Sequence, residues 1–139
     1  MQLPRYPPER IVCLTEETVE TLYLLGEDRR IVGISGYAVR PPRVRREKPR
    51  VSSFISADLE KILALEPDLA LTFSDLQADI VRDLVKAGVA VHAFNHRDVA
   101  GIFGMIRMVG ALGRVDIHRN QAMNEAIVTK AANAVAVLS

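Results

Sequence analysis

The sequence predicts a single three-layer α/β domain built on four parallel strands. Three observations predict it: short, wholly apolar runs alternate with amphipathic stretches, capping residues open those stretches, and Gly or Pro closes them. Wholly apolar strands belong to sheets covered on both faces, which are typically parallel.

Residues 1–9 carry three prolines and read as an irregular lead-in. Residues 10–14 (RIVCL) form the first strand. Thr15 stands at the cap of the next helix, with Glu16 and Glu17 in its first turn, where the helix dipole favours anions. Val19, Leu22 and Tyr23 give that helix its buried face, and Gly26 ends it. Residues 30–34 (RIVGI) are the second strand, completing a unit of the right length for a parallel crossover.

Residues 35–50 are irregular and rich in Arg and Pro, and read as a solvated loop. An extended lead-in over 51–54 precedes a helix over 57–65. Ser56 is its expected cap, Asp58 lies in its first turn, and Leu59, Ile62 and Leu63 share its apolar face. Pro67 stops this helix, and residues 69–73 (LALTF) are the third strand.

Ser74 and Gln77 fit a capping box for a helix to about residue 87, with Leu76, Ile80, Val81 and Leu84 inward and Gly88 as terminator. Residues 89–94 (VAVHAF) are the fourth strand. A helix follows over 99–112, with Val99, Ile102, Phe103, Ile106 and Val109 on one face. The expected strand order is 2-1-3-4, a flavodoxin-like arrangement. Residues 1–112 form the domain proper, and residues 113–139 a divergent helical tail packing on it.

Composition narrows the function classes. About half of the 139 residues are apolar and a quarter charged, enough for one real core. The net charge of +1 argues against dedicated nucleic-acid or membrane-surface binding, which needs a basic surplus on one face. Cys13 is the single cysteine and lies in an apolar run, so it reads as a buried thiol without disulfide or metal chemistry. His92, His96 and His118 lack metal-ligand spacing. No phosphate loop and no nucleophile elbow is present, so a non-catalytic protein is expected. MQLPRYPPER lacks the apolar core of a secretory signal, and no run is long enough to span a bilayer. As written, the chain reads as cytoplasmic, with no membrane insertion.

Four blocks then resemble one family. They are RIVCLTEETVETLYLLG from Arg10, RIVGISGYAVRPP from Arg30, VSSFISADLEKILALEPDLALTF from Val51 and VRDLVKAGVAVHAFN from Val81. In this order and spacing they resemble the N-terminal lobe of the substrate-binding proteins of cobalamin and iron-siderophore ABC importers, the helical-backbone, class III periplasmic binding proteins. The third block, with its Leu-Glu-Lys-Ile-x-Ala-Leu-x-Pro-Asp-Leu run, is the most specific.

The resemblance implies a small-molecule ligand, a corrinoid or metal chelate, held between two lobes, an ABC permease as partner, and a periplasmic location. It puts Tyr37, Phe54 and Phe73 on the cleft, with Ser53 and Ser56 beside them, and Glu20 at the permease contact. His96, in the loop after the fourth strand, is in reach of a ligand or of a corrin metal as axial base. No resident cofactor or metal is implied. Thr15-Glu16-Glu17 replaces the family's Thr-Pro-Ser, Val39-Arg40-Pro41-Pro42 replaces Asp-Tyr-Pro-Pro, and Phe73 stands where Trp is frequent. The family's second lobe would need about another hundred residues, so half of the cleft is expected here, with a homodimer as one way to cover it. The competing reading is a truncated or chimeric flavodoxin-like scaffold with no ligand binding.

Overall fold

The computed structural model describes residues 7–112. The expected helical tail over 113–139 and His118 lie outside the described residues. The elements run β1 (Ile11–Cys13), α1 (Glu16–Leu24), β2 (Ile31–Ser35), α2 (Val44–Glu47), β3 (Arg50–Ser52), α3 (Leu59–Ala64), β4 (Leu69–Phe73), α4 (Ala78–Lys86), β5 (Val91–Phe94) and α5 (Val99–Leu112). All strand pairings are parallel, in the order β3-β2-β1-β4-β5. The four expected strands occupy the order 2-1-3-4 within it. The fifth strand corrects the expected count: residues 50–52 pair with β2 at the sheet edge and do not merely lead into a helix.

Alternation along β1 and β4 divides the core in two. Ile11, Cys13 and Leu71 pack with Leu22, Met105 and Ile106 beneath α1 and α5. Val12, Leu14 and Ala70 pack with Val51, Ile62 and Leu84 beneath α3 and α4. These are the two covered faces of a three-layer domain.

Several local expectations change. Asp58, and not Ser56, is the N-cap of α3, its side chain accepting from Lys61 N–H at 3.1 Å. Only Ile62 of the expected α3 face is fully buried, and Leu63 is exposed. Thr15 occupies the N-cap of α1 without a side-chain cap, because its Oγ1 is engaged with Thr18 Oγ1 at 3.0 Å. Ser74 does cap, accepting from Leu76 N–H at 3.0 Å, while Leu76 itself is exposed. Gly26 (φ 72°) and Gly88 (φ 89°) adopt the left-handed conformation that ends α1 and α4.

The loop over 36–49 is more structured than a solvated run. Val44 and Ala38 are buried in the core, and the loop's one acid, Glu47, accepts a hydrogen bond from Tyr23 Oη at 2.6 Å. That bond holds the Glu47 carboxyl below its usual range, while burial raises the Tyr23 hydroxyl. At the other end of the sheet, Asp68 accepts from the N–H groups of Glu9 and Arg10, at 3.0 and 2.9 Å. Arg10 in turn donates to Leu65 O. These bonds fasten the lead-in to the end of α3.

Candidate functional site

Because every strand is parallel, the segments after β1 to β5 emerge at one edge, where open α/β sheets bind ligands. Tyr37 follows β2, Ser53, Phe54 and Ser56 follow β3, Phe73 ends β4, and His96 follows β5. All six expected cleft residues therefore share that edge. From the line of β2 to that of β5 is three strand spacings, about 14 Å.

Within the row, side chains fall into two sets. Phe73 and His96 form a tilted ring pair with centroids 4.8 Å apart, and the Phe94 ring lies 6.5 Å from His96. Ser53 and Ser56 join through their hydroxyls at 2.7 Å, a tight turn that leaves Phe54 half-buried. Tyr37 is 56% exposed.

The sequence reading missed the residue that ties these loops together. Gln77 is fully buried; its Nε2 donates to Leu14 O at 2.9 Å and Phe54 O at 2.7 Å, and its Oε1 accepts from Phe73 N–H at 2.8 Å. One amide thus fixes the loops after β1, β3 and β4, in place of the expected capping box. The only signal for it was an unpaired polar residue in a segment that has to close against the sheet.

His96 is held just as closely. A Cβ at Gly101 would lie 2.4 Å from His96 Cβ, so the first turn of α5 has room for the histidine because residue 101 is glycine. Asp98 begins α5, its carboxylate accepting from Gly101 N–H at 2.7 Å. Burial lowers the His96 pKa, against the opposing pull of Glu17 and Asp98. Glu17, in the first turn of α1, is thus within electrostatic reach of His96. Cys13, fully buried, has its thiol pushed up to about 12 by burial.

Glu20 lies on α1. It pairs with Arg40 at 3.7 Å beside a groove of about 370 Å³ bounded by Tyr23, Leu24 and the 40–43 turn. Among the described residues no group of His, Cys, Asp and Glu is arranged to hold a metal. No helix there is long and apolar enough to cross a membrane.

The parallel sheet thus gathers aromatic rings and hydroxyls at its C-terminal edge, the place where open α/β sheets bind ligands. The chain belongs to the periplasmic binding protein family, whose model matches residues 11–139. It is similar to an uncharacterized ABC transporter substrate-binding lipoprotein of Bacillus subtilis, 27% identical over 118 residues, covering 82% of this chain and 37% of the relative. It is also similar to the vitamin B12-binding protein of Vibrio cholerae, 35% identical over 68 residues, 49% of this chain and 24% of the relative. In fold it matches the crystal structure of a periplasmic heme-binding protein from Pseudomonas aeruginosa, with a TM-score of 0.74 and 21% identity, covering 88% of this chain and 43% of the other. The chain spans less than half the length of these proteins.

Proposed function

We propose that this chain is the N-terminal lobe of an ABC-importer substrate-binding protein, supplying without catalysis one wall of a cleft for a flat metal macrocycle, a corrinoid first. The observation that carries this reading is the ring set at the C-terminal edge. Phe73 and His96 are packed together, Tyr37 is exposed after β2, and the backbone at Phe54 is tied to the end of β4 through Gln77. Flat rings spread along one edge of the sheet suit a broad planar ligand better than a sugar or an amino acid. The likeness to a vitamin B12-binding protein supports the corrinoid, and the fold of a heme-binding protein supports heme as the second ligand to test.

The permease contact through Glu20 and a periplasmic location belong to the same reading. So does a homodimer in which a second copy covers the edge. Residues 1–112 are taken as the lobe.

A calorimetric titration with cyanocobalamin, beside hemin and a ferric siderophore, tests the reading. Micromolar or tighter saturable binding of a macrocycle is expected, and one ligand per two chains would indicate a cleft rebuilt between copies. A folded protein that gives no heat with any of them leaves the scaffold reading.

A further inference from the structure

The orientation of the His96 ring decides which of its two nitrogens can meet a ligand. Nδ1 is buried and has no hydrogen-bond partner. Nε2 is not shut in the same way, so the exposed part of this half-buried ring lies towards Nε2. Phe73 packs against the ring as a tilted pair with centroids 4.8 Å apart, and the Gly101 turn closes against its Cβ.

A neutral imidazole carries one proton, and the two placements differ in cost. An N–H at Nδ1 would be a buried donor with no acceptor, the orphan that proteins tolerate least. A bare lone pair at Nδ1 is the lesser loss. The proton therefore resides on Nε2, which then has no lone pair to offer a metal.

On the functional reading above, on which this rests, we propose that His96 recognises its ligand by donating a hydrogen bond from Nε2. The acceptor is a carbonyl or carboxylate oxygen on the rim of the macrocycle, and His96 is not an axial base to its metal. Phe73 supplies contact to the ligand face beside it. The site thus selects macrocycles that carry amide or carboxylate side chains.

Nitrogen-resolved NMR of the histidines in the free full-length chain, with His96→Gln to assign the signal, reads the tautomer directly. The Nε2–H form is expected at His96, and an Nδ1–H form overturns the inference on its own. Cyanocobalamin and hemin are then titrated by absorbance against wild type, His96→Gln and His96→Phe. Glutamine keeps a donor amide and is expected to bind within about threefold of wild type, whereas phenylalanine keeps the ring contact and loses about tenfold. The absorption bands of the bound ligand should be the same in wild type and His96→Gln. Bands that shift in wild type alone would show axial ligation, and undiminished binding by His96→Phe would show no bond at all; either overturns the proposal. A folded wild-type chain that takes neither probe removes the functional reading itself, a failure the tautomer measurement keeps separate.

Discussion

At the scale of single residues, burial sets reactivity. Cys13 lies wholly inside the α1/α5 core, and burial that pushes its thiol up to about 12 leaves almost no thiolate at neutral pH. The native chain should be inert to a thiol reagent and yield its one thiol only in denaturant; fast labelling of folded protein would contradict this burial. His96 makes a pH-dependent contribution of known sign. Burial depresses its pKa, opposed by Glu17 from α1 and Asp98 from its own loop. The unfolded chain therefore binds the proton more readily than the folded one. Stability from this group is complete above the ordinary imidazole pKa, about 6.5, and is lost as pH falls through that value towards the lower folded one. Urea midpoints at pH 7.5 and 5.5 should differ more in wild type than in His96→Gln. Equal differences would mean that His96 is not linked to folding.

At the scale of elements, the loops matter more than the strands they follow. Replacing Gln77 by Leu would leave Leu14 O and Phe54 O without their donor and Phe73 N–H without its acceptor. A loss of about 3 kcal/mol in urea unfolding is expected, because unmade buried bonds are expensive. Gly101→Ala separates two effects in α5. Alanine improves helix propensity by about 1 kcal/mol, yet its Cβ would fall 2.4 Å from His96 Cβ and displace the ring. Macrocycle affinity should drop at least fivefold while the melting temperature changes little; unchanged affinity would remove His96 from the site. These cases mark what a sequence can show. Periodicity and terminators located the strands beneath α1, α3, α4 and α5 because those signals are local. The edge strand β3 was missed because three residues, Arg50–Ser52, carry no readable alternation, and its pairing with β2 is a tertiary fact. The role of Gln77 was missed for the same reason, since its partners lie up to 63 residues away. The shared edge of the six expected cleft residues was legible because parallel order alone puts every strand's C-terminal end on one side.

At the scale of the whole molecule, the open edge governs behaviour in solution. Tyr37, Ile55 and Leu76 follow β2, β3 and β4 and are exposed at 56, 71 and 67%. All three lie in segments that emerge at the C-terminal edge of the sheet, so exposed apolar surface lies on the side of the proposed ligand wall. On the proposed reading the lobe buries a broad ligand on one side only, and closing the other side needs a second wall. A second copy can supply it through a two-fold contact, in which each rim meets the other. Light scattering should therefore show a dimer forming with concentration, strengthened by a bound macrocycle shared between copies. Ile55→Asp should shift the equilibrium to monomer by tenfold or more, since a charge buried in an apolar contact is strongly disfavoured. A monomer mass at high concentration, with and without cyanocobalamin, would rule out the two-copy cleft and leave a single open wall to account for any affinity measured.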